Sequence, residues 1–201
     1  MVTSPATVYV VEDDPAVADS LAWLLRSADF EPRVYTTLAE FQAGYVPSES
    51  ACLVLDIRLP DGDGIQFLDV VASDYPHLPV IFITAFGNVA LAVQAMRRGA
   101  VDFLEKPFDS QTLIERVRQA LAHRCVQAVA RARVARLTGR EREILDLIVG
   151  GLSTRAIAQR LGRSEKTIEG HRHNIMRKVE ATSLAQVVHT ATLASYTLSV
   201  H

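Results

Sequence analysis

Cysteine is almost missing from this 201-residue chain: Cys52 and Cys125 are the only two. That scarcity excludes a disulfide framework and any cysteine-spaced metal site, and it suits a reducing compartment. Long apolar runs are missing too. No stretch approaches the roughly 18 apolar residues that a membrane span needs. The first residues show no charged segment followed by an apolar one, so a soluble, unexported, cytoplasmic protein without a membrane partner is expected. Repeats and low-complexity tracts are absent. Aromatic residues are few, and the single tryptophan, Trp23, sits among Val17, Leu21, Leu24 and Leu25, which assigns it to the apolar face of a helix. What remains is 49% apolar and 22% charged, a globular composition, with a length that suits two domains.

The overall charge of -2 conceals a division. Residues 1–120 hold 8 Lys/Arg against 17 Asp/Glu, a balance of −9; residues 121–201 hold 13 against 6, a balance of +7. Opposite signs point to a cation or basic-partner site in the first part and a polyanion surface in the second.

In the acidic part, short β-branched runs alternate with helical spacing. Strands are expected at 7–11, 32–36, 51–56, 79–84 and 101–104. Helices are expected at 15–28, 37–44, 64–74, 88–98 and 109–122. Pro15 suits a helix start, Asp14 can cap that helix, and Asp109 or Ser110 can cap the last one. Five strand-then-helix units predict a doubly wound parallel sheet with helices on both faces. Cys52-Leu53-Val54-Leu55 and Val80-Ile81-Phe82-Ile83 read as central strands buried on both sides. Residues 123–136 carry no turn signal and read as a helical linker, either separate from or continuous with the helix before it, kept hydrated by Arg131, Arg133 and Arg136. From 137 the pattern is all-helical. Thr138-Gly139-Arg140-Glu141 is a capping box, Gly150-Gly151 ends the first helix, Ser153 and Ser164 can cap the next two around Gly162, and Thr182 or Ser183 can start a fourth. Two short helices about a glycine, the second amphipathic and basic, have helix-turn-helix character. The expected division is therefore 1–122, 123–136 and 137–201.

In open doubly wound sheets ligands sit outside the carboxyl ends of the strands. Glu12, Asp13, Asp56, Thr84 and Lys106 all fall at such ends. Clustered carboxylates repel one another, and a divalent cation such as Mg²⁺ (or Mn²⁺) relieves that conflict while accepting phosphate oxygens. An aspartate carboxylate can take a phosphoryl group covalently. Asp56 is the expected nucleophile, with Glu12 and Asp13 on the metal. Lys106 would neutralise one phosphoryl oxygen, and Thr84 would donate to another. Read singly, Asp61, Asp63 and Asp69 are solvated acids. His123, His189 and His201 show no metal spacing.

These residues carry a resemblance. Leu55-Asp56-Ile57-Arg58-Leu59-Pro60-Asp61-Gly62-Asp63-Gly64, Thr84-Ala85 and Gly99-Ala100-Val101-Asp102-Phe103-Leu104-Glu105-Lys106-Pro107-Phe108 resemble the signatures of CheY-like receiver domains, over about residues 6–122. The resemblance implies a flavodoxin-like fold and a phosphoacceptor at Asp56. It implies a metal ligand in the Arg58 backbone carbonyl, a switch pair of Thr84 and Phe103, and a cis Lys106-Pro107 bond. Glu12 stands where an aspartate is more usual, and Phe103 has no hydroxyl, so its switching would be by packing.

Leu137-Thr138-Gly139-Arg140-Glu141-Arg142-Glu143-Ile144-Leu145, Ile157-Ala158-Gln159-Arg160-Leu161 and Thr167-Ile168-Glu169-Gly170-His171-Arg172-His173-Asn174-Ile175 resemble the LuxR/NarL/FixJ-type helix-turn-helix, over about 137–196. On a helical wheel Ile168, His171, Ile175 and Val179 face inward. Lys166, Gly170, His173 and Arg177 face outward, flanked by Glu169 and Asn174. That outward face suits the major groove: His173 and Asn174 at base edges, Lys166 and Arg177 at phosphates. The resemblance adds base contacts at Glu169, Gly170 and His173. Many relatives carry lysine where Glu169 stands, and a glutamate can accept from cytosine N4.

Together the two resemblances imply a response regulator, not an enzyme. A sensor histidine kinase would phosphorylate Asp56, and phosphorylation would control homodimerisation and binding to double-stranded DNA, with RNA polymerase as a further partner. Two other readings stand beside it. One is a receiver-like module that controls the same DNA-binding domain without phosphorylation. An aspartate-nucleophile phosphatase is the other, although such hydrolases place a second aspartate where this chain has Arg58.

Overall fold

The structure, a computed structural model, describes residues 5–48, 50–75, 77–85 and 87–195. Residues 1–4 and 196–201, His201 included, lie outside the described residues. The chain forms two compact units, Met1–Cys125 and Val126–His201.

The first unit is built on β1 (Thr7–Val11), β2 (Glu31–Tyr35), β3 (Ala51–Asp56), β6 (Val80–Thr84) and β7 (Asp102–Glu105). They form one parallel sheet in the order β2-β1-β3-β6-β7, the flavodoxin-like order. The period of two along each strand divides the core. Tyr9, Val11, Leu53, Leu55, Val80 and Phe82 meet α2 (Leu38–Gly44), α3 (Gly64–Asp74) and α4 (Val89–Arg97) on one face. Val8, Val10, Cys52, Val54, Ile81 and Ile83 meet α1 (Pro15–Ser27) and α5 (Ser110–Ala135) on the other. Each fully buried Val, Leu, Ile or Phe contributes roughly 1.5–3 kcal/mol, so this double core holds the strand ends in fixed register. Two very short strands, β4 (Arg58–Leu59) and β5 (Gly62–Asp63), form an antiparallel ribbon that strand-length runs do not reveal.

Two expectations change, and one open alternative is settled. Trp23 is 72% exposed. The buried face of α1 is Ala18, Leu21, Ala22 and Leu25, and at 100° per residue position 23 falls on the far side. Asp61, Asp63 and Asp69 are not merely solvated. Asp61 accepts from the backbone N–H groups of Leu38 and Ala39, Asp63 caps α3, and Asp69 pairs with Arg98. The helix at 109–122 and the segment after it are one 26-residue helix, α5. No glycine or proline interrupts it, and Ala, Arg, Leu and Gln are strong helix formers. Asp109 caps it, accepting from Gln111 and Thr112. Within the first unit, Arg124 is buried and donates to the carbonyls of Ser48 and Ala51.

The second unit holds α6 (Gly139–Val149), α7 (Thr154–Leu161), α8 (Glu165–Val179) and α9 (Leu184–Ser195) around Leu137, Ile144, Leu145, Ile148, Ile157, Ile168, Ile175, Val179 and Val187. The Thr138–Glu141 capping box is formed. Ser153 and Ser164 cap α7 and α8, and Gly162 ends α7 in the left-handed region at φ 62°, where a glycine is at ease.

Candidate functional site

Parallel β1, β3, β6 and β7 end at a common rim, and that register gathers residues far apart in sequence. Lys106 follows β7 and is fixed there by its N–H to the Thr84 carbonyl at 2.8 Å. Its Nζ donates to Glu12 Oε2 at 2.6 Å and to Asp56 Oδ2 at 2.7 Å. The other Asp56 oxygen, Oδ1, accepts the Arg58 backbone N–H at 3.1 Å. Glu12, Asp13 and Asp56 each offer a carboxylate oxygen, and these oxygens all lie within 4.8 Å of one another. Glu12, Asp56 and Thr84 are buried, whereas Asp13 is open to solvent. The Lys106-Pro107 bond is cis.

Burial raises the Glu12 carboxyl above its ordinary pKa, against the pull of Lys106. Burial alone would lower Lys106, yet its hydrogen bonds to Asp56 and Glu12 hold it above the usual lysine value. The ammonium is thus the shared counter-ion of two carboxylates. The three carboxylates form an oxygen donor set suited to a hard divalent cation. A buried nucleophile-grade carboxylate with a cation on one side and a hydroxyl at the next strand end can accept and hold a phosphoryl group.

Three residues flank the ionic set, and one of them crowds it. Gly64 opens α3, and its N–H donates to the Ile57 carbonyl at 2.8 Å. A Cβ at this position would stand 2.5 Å from the Asp56 carbonyl oxygen. The sequence displays Gly64 within the signature but gives no sign of this approach. Phe103, on β7, is half-buried against the face carrying α4. Arg58 begins the β4–β5 ribbon, with its side chain exposed.

The second unit carries a different kind of site, drawn on one helix. Along α8, Ile168, Ile175 and Val179 are buried and His171 is half-buried. Lys166, Glu169, Gly170, His173 and Arg177 are exposed, and Asn174 is half-buried. A Cβ on Gly170 would meet nothing within 4 Å, so the helix backbone is open there to a close approach. Two basic side chains of α8 are committed inward. Arg172 donates to the Thr154 hydroxyl. Lys178 Nζ donates to Glu141 Oε2 at 2.6 Å, the oxygen that also accepts the Thr138 N–H at 2.8 Å. Burial would raise Glu141, but Lys178 and Thr138 reverse that and bring it to about 2. Nothing in the sequence announces this pair, whose partners stand 37 residues apart. Arg133 and Arg136 are not free solvating groups either: both pair with Glu180, at 2.7 and 2.8 Å.

Comparison with known proteins identifies the family of each part of the chain. Residues 8–118 match the response regulator receiver domain family, and residues 135–191 match the luxR family of bacterial regulatory proteins. The transcriptional regulatory protein FixJ of Azorhizobium caulinodans is 42% identical, over 93% of this chain and 92% of its own length. The tetrathionate response regulatory protein TtrR of Salmonella typhimurium is 35% identical, over 91% and 90%. Full-length FixJ from B. japonicum has a solved structure that superposes with a TM-score of 0.54 at 38% identity, covering 96% of this chain and 99% of that one. No described helix is long and apolar enough to cross a membrane. The chain belongs to the FixJ-type response regulators, transcription regulators that are controlled by phosphorylation through a receiver domain and act through a LuxR-type DNA-binding domain.

Proposed function

We propose that Asp56 is the phosphoacceptor, that Glu12, Asp13, Asp56 and the Arg58 carbonyl hold Mg²⁺ or Mn²⁺, and that α8 reads DNA. The observation that carries the first part is the convergence on Asp56 of Lys106 at 2.7 Å, the Arg58 N–H at 3.1 Å and two further carboxylates. In this reading 1–122 is the receiver, 123–136 the linker and 137–201 the DNA-binding domain.

An Asp56 oxygen attacks the phosphorus of a phosphohistidine on a sensor kinase. The O–P bond forms as the P–N bond breaks, and the imidazole leaves with the electron pair and takes up a proton. A bound divalent cation supplies charge neutralisation for the carboxylates and the phosphoryl oxygens. Lys106 shifts its donation from the Asp56 carboxylate to a phosphoryl oxygen. The Thr84 hydroxyl donates to another oxygen, and Phe103 repacks toward the space that Thr84 gives up. The donor must sit over this rim. An open groove of about 840 Å³ adjoins it, lined by Trp23, Leu24, Lys106, Pro107 and Phe108, and is the surface we assign to the kinase. The exposed apolar row Val89, Val93 and Met96 on α4, spaced by four and three residues, with Val101 beside β7, is the face we assign to the homodimer.

In DNA, Glu169, Gly170, His173 and Asn174 address base edges, and Lys166 and Arg177 address phosphates. Exposure along one face of α8 and the +7 balance of residues 121–201 support this. A cytoplasmic location and contact with RNA polymerase complete the reading. Phosphatase chemistry is disfavoured because Arg58, not a second acid, follows Asp56 by two residues. A receiver that works without phosphate is disfavoured because Asp13, Asp56, Thr84 and Lys106 are all present at the rim. The test is labelling by a small-molecule phosphodonor with Mg²⁺, followed by footprinting on genomic DNA. Labelled protein should protect discrete sites that unlabelled protein leaves open. Label retained by Asp56→Asn, or identical footprints from both forms, would refute the assignment.

A further inference from the structure

Glu180 occupies a position that is locally unsuited to glutamate in two independent ways. It caps α8 in the left-handed region, φ 58° and ψ 41°, which L residues with a Cβ rarely adopt and where glycine is usual. It also sets a carboxylate at the negative end of the helix dipole, beside the last carbonyls of α8. Its N–H does what any C-cap residue does, bonding back to Arg177, so the side chain adds nothing to the cap. The carboxylate instead accepts from Arg133 Nη2 at 2.7 Å through one oxygen and from Arg136 Nη1 at 2.8 Å through the other. Arg133 lies in the last turn of α5 and Arg136 just beyond it. The hydrogen bond from Arg136, then the charge and hydrogen bond of Arg133, hold the carboxyl below the ordinary range. Sequences that break a local rule do so where another demand overrides it. The demand visible here is the contact itself.

We infer that Glu180, Arg133 and Arg136 are positioning residues for DNA recognition, a latch that fixes the C-terminal end of α8 to the end of the linker helix and so sets the angle at which α8 presents Glu169, Gly170 and His173. This rests on the reading of α8 as the DNA-contacting helix. The latch is partly exposed and acts through geometry. A loosened α8 keeps its charge but loses its register, so discrimination between sequences falls more than general affinity does.

The choice of residue makes the idea testable. Glu180→Gly removes the carboxylate and relieves the backbone at once, so the folded unit should be as stable as wild type or more so. The probe is the duplex that the full-length wild-type chain, phosphorylated by a small-molecule phosphodonor with Mg²⁺, enriches from a random-sequence library, compared with a scrambled duplex of equal length, every variant being phosphorylated in the same way. The ratio of the two affinities should fall about tenfold in Glu180→Gly while the thermal unfolding midpoint holds or rises. Arg133→Ala/Arg136→Ala should show a similar fall, and adding Glu180→Gly to that pair should lower the ratio no further. Unchanged discrimination in Glu180→Gly overturns the latch, as does a loss that simply adds to that of the arginine variants. Failure of the phosphorylated wild-type chain to enrich any sequence would remove the underlying reading of α8, and the latch with it.

Discussion

The two units solve the problem of site construction in opposite ways. In the receiver, Lys106 meets Glu12 across 94 residues and Asp56 across 50, and only the parallel sheet brings them together. In the DNA-binding unit the whole candidate reading surface lies within 15 consecutive residues of α8, and one turn of the helix brings neighbours to the same face. A sheet-rim site depends on topology and buried register, so it should tolerate little change in charge at its centre. A helix-face site depends on how its helix is seated, so packing beneath it matters as much as the contacts themselves.

That contrast can be broken or sharpened in steps. The largest effect belongs to Asp56→Asn, which should abolish hydroxylamine-sensitive labelling by a small phosphodonor. The unfolding transition of the helical unit should stay unchanged, and a shift in that transition would argue against separate sites. Next is Ile175→Ala beneath α8, where the side chain is fully buried. It should destabilise the helical unit by about 3 kcal/mol, read by chemical denaturation, and leave Asp56 labelling at wild-type rate. Glu141→Gln should cost about 2 kcal/mol, because a glutamine can still complete the capping box but no longer neutralises Lys178. It also predicts a pH effect. The Glu141 pKa falls from 4.5 to about 2 on folding, so the unfolded chain takes up the proton first. The stabilisation is therefore whole above pH 4.5 and is lost as pH falls toward 2. Wild type should show that slope in acid melts, and Glu141→Gln should show less of it. The smallest effect is Glu169→Lys, which should raise affinity for random duplex about tenfold by removing a phosphate-repelling charge. It should also erase any cytosine preference at the contacted position. Equal affinity and equal preference would show that residue 169 does not face DNA.

The sequence made the alternation of strands and helices legible because buried parallel strands leave long β-branched runs, such as Val80-Ile81-Phe82-Ile83. The strand ends were legible for the same reason, and with them Glu12, Asp13, Asp56, Thr84 and Lys106. The wheel of α8 agreed with its burial at Ile168, Ile175 and Val179, since one helix face needs no knowledge of the rest of the fold. What stayed hidden depended on side-chain reach across space. Trp23 was assigned to a core because its neighbours in sequence are apolar, whereas the helix turns it outward. Asp61 looked solvated because the N–H groups it serves, on Leu38 and Ala39, lie 23 and 22 residues away. Lys178–Glu141 and the Glu180 cluster were invisible because ion pairs have no periodicity to betray them.

Gly64 contributes no charge and donates only its backbone, yet the atom it lacks matters for signalling. Substituting even alanine would drive a methyl group against the Asp56 carbonyl oxygen and the Phe82 ring, displacing the strand end that carries Asp56. A genetic screen for mute regulators should therefore return hits at residue 64 whose acidic residues are all intact. Such mutants would be silenced by steric displacement of a correctly composed site.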